Sequence, residues 1–258
     1  MTQDLEKIGL DAVDKFITTW NSRDPERWAA SLNYPHVRPS PFGPIVIARD
    51  AVEYASRVDF AKVIATGWDH SEWDYKRIIH TSPEKIHVAG QWSRYDAKGT
   101  VIHINPVVYV VTRVEGVWGI QSRFGSDHAE PDHDSSGLED RTFKLIEDFT
   151  HHFNNNNVRA CAELLNYPHY SIGVGQITEQ LAPDEFKITE NKISIESLQA
   201  LQTGVKSINA GLDITLHKAS GNQTYQAVMS VTLRDFGQVK EHLGIQAWSL
   251  LNPDAEEE

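Results

Sequence analysis

Apolar residues recur along this chain first at helical and then at strand spacing, and the whole series runs twice. Val13, Phe16, Ile17 and Trp20 stand at i, i+3, i+4 and i+7, one stripe of an amphipathic helix. Leu145, Ile146, Phe149 and Phe153 form the matching stripe. Phe16 and Phe149, Trp20 and Phe153, and Asn21 and Asn154 all lie 133 positions apart. The pentapeptide LNYPH keeps the same offset, at 32–36 and 165–169. Before the first copy of it, Asp24-Pro25-Glu26 predicts a capped second helix that turns Trp28 and Leu32 inward, with a counterpart from about Asn157 to Leu165. Tyr-Pro predicts the exit from both, because the residue before proline is pushed out of the α region.

After the first LNYPH, IVIA (45–48) reads as a short strand. Asp50 and Glu53 predict a cap for a third helix, AVEYASRVDFAKVIATG, ended by Gly67. In the second copy a helix from about Ser194 to Thr203 ends at Gly204, in the same Thr-Gly pair. Strand-like runs follow. WDYKRIIH, EKIHVAGQWSRY, TVIHINPVVYVVT and GVWGIQSRF are rich in β-branched and aromatic residues and are separated by turn chemistry. LDITLHK, QTYQAVMSVTLRDF and HLGIQAWSLL are their counterparts, and Gly-Ile-Gln recurs at 119–121 and 244–246. Aligned on the Thr-Gly pairs, the second copy is short of about one hairpin. The polar, acidic stretch between the copies reads as a linker. Helices followed by strands, twice over, predict an α+β chain of two domains.

Composition narrows the class. The chain has 258 residues, 40% hydrophobic and 23% charged, an ordinary globular balance. Its net charge of −12 argues against nucleic acid or an anionic membrane as a partner. No apolar run is long enough to span a bilayer, and MTQDLEKIGLDAVDKF has no apolar core of a secretory signal, so the expected compartment is the cytoplasm. A lone cysteine, Cys161, excludes an internal disulfide framework and reads as a small buried hydrophobe.

LNYPHVR, TGWDHSEWD, KIHVAGQWSRYDAKGTVI and VYVVTRVEGVWGIQSRF, in that order and spacing, resemble the NTF2-like superfamily, and the first copy is similar to its SnoaL-like branch. The resemblance covers most of residues 8–125 and is weaker in the second copy. It implies two tandem NTF2-like cone domains, each of three helices packed on a curved antiparallel sheet. Domain 1 would span 1–125, a linker 126–137, and domain 2, with a shortened sheet, 138–258. The family also implies a deep apolar pocket and frequent dimerisation through the sheet. Its members include isomerases, dehydratases, epoxide hydrolases, polyketide cyclases and proteins that only bind.

Candidate chemistry follows from residue types near the expected pocket mouth. His36, a natural acid or base near neutrality, and Arg38, an oxyanion or carboxylate holder, follow the Tyr-Pro unit. His169 recurs in the second copy while Arg38 is replaced by Ser171, so His36 reads equally as part of a shared turn, with Tyr34 as packing. Asp69 and His70 resemble a carboxylate-oriented imidazole, yet neighbours in an extended segment point to opposite faces and should not pair. Trp92 and Arg94 share a strand face, as a pocket wall with a charged tip or as a guanidinium lying over an apolar interface. His103 should face away from Ile102 and Ile104, and Arg123 should share the face of Val117, Gly119 and Gln121. Asp127, His128, Asp132, His133 and Asp134 have ligand chemistry but read as solvated linker, so no metal or other cofactor is expected.

Two functions fit. One is cofactor-free acid–base chemistry (isomerase, dehydratase, hydratase or cyclase) on a small apolar carbonyl or hydroxyl compound. There His36 or His70 acts as acid or base, Tyr34, Arg38 or Arg94 steadies negative charge, and Trp20, Asp69, Trp92, His103 and Arg123 contact substrate. The other is a non-catalytic binding or scaffold protein whose many tryptophans fill the cone. In either case the second domain would cover the first domain's sheet as an internal pseudo-dimer, with assembly of whole chains into a homo-oligomer also open.

Overall fold

A computed structural model describes residues 4–39, 45–129, 133–234 and 242–253. The first half begins with helix α1 (Leu5–Asn21), whose N-cap Asp4 accepts from Lys7 N at 3.1 Å and whose expected stripe is buried through Trp20. Helix α2 (Pro25–Ala29) follows on the Asp24 cap. Strands β1 (Leu32–Arg38) and β2 (Val46–Ala48) come next. The single third helix expected from sequence is two, α3 (Ala51–Ser56) and α4 (Phe60–Ala65). Asp59 is the reason: extended itself, it caps α4 by accepting from Lys62 N at 3.2 Å. Four long strands complete the half: β3 (His70–Thr81), β4 (Lys85–Tyr95), β5 (Val101–Val114) and β6 (Val117–Gly125).

The second half repeats the plan with α5 (Ser136–Asn154), α6 (Val158–Glu163), β7 (Leu165–Ile172), β8 (Ile177–Gln180), a 3-10 turn (Pro183–Glu185), β9 (Lys192–Thr203), β10 (Ser207–Lys218), β11 (Gly221–Arg234) and β12 (His242–Leu251). Sheet orders match: β2-β1-β6-β5-β4-β3 and β8-β7-β12-β11-β10-β9. Both sheets are mixed rather than antiparallel throughout, because β1 pairs parallel with β6 and β7 parallel with β12. These are two NTF2-like α+β domains.

The second sheet is not shortened. The stretch from about Ser194 to Thr203, expected to be a helix, belongs to an edge strand, Lys192–Thr203. Two bulges in its pairing with β10 break the strict alternation, so Ile195, Leu198 and Leu201 fall three apart and imitate helical spacing. The true match to Thr203-Gly204 is Thr81-Ser82. Leu32 to Leu165 is 133 positions and Thr81 to Thr203 is 122; Ala48 to Gln180 is 132, so 132 − 122 = 10 of the missing residues come from the α3–α4 region. There the second domain has only the 3-10 turn and Phe186, which packs 5.9 Å from Phe149.

LNYPH is the start of a strand, not a helix exit, and both Tyr-Pro bonds are cis. Its residues clasp the sheet identically in both domains. Asn33 Nδ2 donates to Thr112 O at 2.7 Å, and Asn166 Nδ2 to Thr232 O at 2.8 Å. The tyrosine hydroxyls donate to Ala29 O and Ala162 O at 2.9 and 3.1 Å. His36 and His169 hold the carbonyls of Ile120 and Ile245 at 3.2 and 3.0 Å. Gly119 completes the clasp, since a Cβ there would stand 2.6 Å from Asn33 Oδ1; Gly244 does the same for Asn166. The two recurring motifs are therefore two sides of one joint.

Helices cover the inner faces of the sheets, around Phe16, Trp20 and Trp28 in one domain and Ile146 and Phe149 in the other. The outer faces meet each other over a core that includes Val108, Phe124, Tyr170 and Val228. Polar pairs sit within this apolar layer. Gln202 Nε2 donates to Gly90 O at 2.6 Å, Lys85 Nζ to Ile172 O at 2.7 Å, and His87 Nε2 lies 2.9 Å from Ser249 Oγ. Among the described residues no helix is long and apolar enough to cross a membrane.

Candidate functional site

A cleft of about 680 Å³ opens in the first domain between the β4–β5 hairpin, the end of β6 and the helices. Its wall is aromatic. Trp20 is fixed by its indole N–H, which donates to Ser71 Oγ at 3.2 Å, and its ring packs 4.5 Å from Trp28. Three guanidinium groups, of Arg38, Arg94 and Arg123, project into this setting.

Arg123 comes from β6 and is 6% exposed. It donates to Tyr54 Oη at 2.6 Å and lies 4.8 Å over Phe16 and 5.4 Å over Trp28. Arg94, from β4, rests 5.2 Å over Trp20 and 5.7 Å over Trp92. Arg38 stands at the rim with part of its side chain in water. Among the described residues no carboxylate pairs with any of the three. Burial and then Arg123 lower the pKa of Arg94, and the same two causes bring Arg38 down to about 10. Asp127, the one acid in the lining among the described residues, has its carboxylate engaged elsewhere, by Lys206 N at 2.8 Å and by Ser207 Oγ.

Three buried polar atoms here have no partner among the described residues: Arg94 Nε, Arg123 Nε and Trp28 Nε1. Each is a donor, and each belongs to a residue that lines the cleft. Unpartnered donors and cations thus gather here, an arrangement that suits a negatively charged guest. A carboxylate about 4 Å from one guanidinium gains roughly 4 kcal/mol at an effective dielectric of about 20.

The second domain lacks this chemistry at the matching register positions. Leu216 stands in the place of Arg94, Trp248 in that of Arg123, Met229 in that of Tyr109, and Ser171 in that of Arg38. Its cone is packed by Phe149, Phe186 and Trp248, with ring centroids 5.7 and 5.9 Å apart about Phe149.

Of the ten side chains singled out from sequence, six line the cleft: Trp20, Arg38, Trp92, Arg94, His103 and Arg123. The other four do not. Tyr34 and His36 belong to the clasp, where burial first, and Arg123 next, push His36 well below the usual imidazole range. That ring is neutral at pH 7 and is 0% exposed. His70 and Asp69 lie on the surface at the edge of β3, and they do pair: His70 Nδ1 is 3.0 Å from Asp69 Oδ2. Asp69 precedes the strand, so opposite-face alternation does not separate the two.

Two further expectations change. His103 shares the cleft with Ile102 and Ile104, which all line it where the hairpin curls over. Arg123 does not share the face of Gln121. A bulge sets Val110 opposite Ser122 but Val111 opposite Ile120, which reverses the alternation at Gln121 and turns both Ile120 and Arg123 inward. Tyr109 in the cleft and Tyr54 beside it carry no signal in the sequence pattern, and Asp127 and His128, which read there as solvated linker, line the cleft too. Tyr109 was concealed in an apolar run. Asp127 and His128 fell in the stretch assigned as linker, yet residues 126–128 are partly buried and line the cleft. Asp132 and the tail beyond residue 253 lie outside the described residues.

Comparison with known proteins agrees with the fold. Residues 10–127 match the family model described as NTF2-like protein (DUF6841). A domain of unknown function with a cystatin-like fold from Nostoc punctiforme is 17% identical, with TM-score 0.41, over 57% of this chain and 87% of that one. A ketosteroid isomerase-like protein from Erwinia carotovora atroseptica is 19% identical, with TM-score 0.39, over 49% of this chain and 97% of its own. An NTF-2 like protein of unknown function from Shewanella oneidensis is 16% identical, with TM-score 0.38, over 47% and 98%. At that level of similarity nothing about activity passes to this chain. No curated protein matches it.

Proposed function

We propose that the first domain is a receptor pocket for a small organic anion with a flat apolar body, such as an aromatic carboxylate. The observation that carries this reading is the set of three converging guanidinium groups with no carboxylate partner among the described residues. Leaving cations unpaired in an aromatic cavity costs stability, and a ligand acid would offset that cost. The ligand is thus charged, rather than the neutral carbonyl compound expected from sequence. Benzoate, phenylacetate and indole-3-acetate are expected to release heat on titration into the protein, and benzyl alcohol none. Silence from all three acids, or equal binding of the alcohol, overturns the reading.

A second reading, cofactor-free proton transfer of the SnoaL-like kind, is supported by one observation. His103 lies in the cleft wall opposite Arg94, and burial followed by Arg94 keeps its imidazole below the usual range, hence available as a base at pH 7. It replaces His36 and His70 in that role, with Tyr109 as a donor to developing negative charge. On this reading the protein accelerates deuterium exchange at the benzylic carbon of phenylpyruvate, an aromatic carboxylate with an acidic C–H. His103→Gln abolishes the acceleration; a wild-type rate equal to that of buffer sinks the idea.

The two domains are best read as a tandem duplication forming an internal pseudo-dimer. Reciprocal contacts support this: Asn209 Nδ2 donates to Phe124 O at 2.8 Å, and its counterpart His87 meets Ser249, the counterpart of Phe124.

A further inference from the structure

We infer that the β9–β10 turn of the second domain is a positioning element of the first domain's cleft, because it holds Asp127, the only carboxylate of the lining among the described residues, away from the arginines. This inference rests on the anion-pocket reading for its functional meaning, but its structural content is separately testable.

The turn is built around Ser207, which is 0% exposed. Its hydroxyl has one proton, and it donates that proton to Asp127 Oδ1. It accepts from Asp127 N–H at 3.0 Å and meets Ser126 Oγ at 2.8 Å, so a single side chain holds two consecutive residues of the cleft rim. Lys206 N–H donates to the other carboxylate oxygen, Oδ2, at 2.8 Å. Both oxygens of Asp127 are thereby directed at the second domain. Gly204 makes room for this: a Cβ at that position would stand 2.2 Å from both Asp127 O and Asp127 Oδ1. No other residue type fits there without displacing the acid.

The consequence is electrostatic. A carboxylate free to rotate at the mouth of a cleft holding Arg38 and Arg94 is an intramolecular competitor for any anionic guest, present at high effective concentration. Pinned by Ser207 and Lys206 it does not compete. The second domain, whose own cone is filled, therefore contributes to the first as the clamp that keeps its cations available. The pairing is specific to this rim: the equivalent turn of the first domain carries Lys85, which donates to Ile172 O and Leu250 O and holds no carboxylate.

The test compares full-length wild type with Ser207→Ala, Asp127→Asn and the double variant. In crystals of Ser207→Ala, the Asp127 carboxylate is expected within about 4 Å of the Arg38 or Arg94 guanidinium, the ordinary ion-pair range. Benzoate affinity falls about tenfold in that variant, the scale of one competing charge pair, and the double variant restores it. Asp127→Asn alone binds benzoate as tightly as wild type or tighter. A purely structural role for Ser207 predicts no rescue in the double variant. If Asp127 stays on Lys206 N–H in the Ser207→Ala crystals, or benzoate binding is unchanged, the inference is overturned. Should wild type ignore benzoate altogether, the pocket reading falls, and the position of Asp127 in those crystals still decides whether the turn restrains it.

Discussion

Lowering the pH from 6.5 towards 4 is expected to strip this protein of much of its stability. Four histidines, His36, His80, His87 and His169, are at most 5% exposed. Among the described residues none has an ion-pair partner. Burial is the first cause in every case, lowering His80 and His169 from 6.5 to about 4 and His36 and His87 well below their usual range. Around the inter-sheet pair the charged or titratable neighbours are Asp213, which favours the His80 cation, and His80 and then Lys85, which oppose that of His87. The neutral ring is the form that folds. Between pH 6.5 and 4 the unfolded chain therefore binds protons that the folded chain refuses, so stability is complete above 6.5 and is lost as the pH falls through that window.

For His80 and His169 the loss is on the order of 3 kcal/mol each, against a typical total of roughly 5–15 kcal/mol. Urea denaturation followed by tryptophan fluorescence across this range measures it. The second domain supplies the control. At the positions of His80 and His87, whose Nδ1 atoms are 3.0 Å apart, it carries Gln202 and Asn209, hydrogen-bonded at 2.9 Å. A His80→Gln, His87→Asn variant should keep the interface and lose this pair's share of the pH dependence, leaving that of His36 and His169. An unfolding free energy constant from about pH 7 to about pH 4.5, across the usual imidazole range, would show that these rings protonate in place.

The second large effect is a separation of binding from stability at Arg123. Its burial without a carboxylate costs several kcal/mol. Two cation–π contacts, roughly 0.5–2 kcal/mol each, and the hydrogen bond to Tyr54, about 1.5–3 kcal/mol, return a similar sum. The terms nearly cancel. An Arg123→Met, Tyr54→Phe variant removes the hydrogen bond at both ends and places an apolar chain where the second domain already has Trp248. Its unfolding free energy should stay within about 1 kcal/mol of wild type, while benzoate affinity drops by about a hundredfold, the scale of a lost buried charge contact. Retained binding removes Arg123 from the pocket's chemistry. A loss of more than about 3 kcal/mol of stability makes it a structural residue instead.

Sequence pattern reached the architecture further than the site. Helical stripes, the 133-residue offset and the Asp24 cap are local signals, set by periods of 3.6 and 2 and by one side chain bonding its own backbone, so they can be read without knowing what lies opposite. The recurrence of LNYPH and Gly-Ile-Gln was visible too, but its meaning was not. Asn33 and Gly119 are 119 − 33 = 86 positions apart, and only the parallel pairing of β1 with β6 brings them together.

What alternation could not supply was the inward face of a strand that contains a bulge. That single extra residue at Gln121 aims Arg123 into the cone, and two bulges in β9 made a strand look helical. Arg94 and Trp92 were correctly grouped on one face, since β4 runs regularly between them, whereas His36 was drawn into a joint by a carbonyl on another strand. By itself, then, the sequence determined two copies of an α+β unit and the apolar stripes that build them, because these depend on short-range geometry. The tertiary structure decided which charges meet in the open cone, and that the other domain holds Asp127 by its carboxylate, because both depend on strand register and on contacts between residues some 80 positions apart.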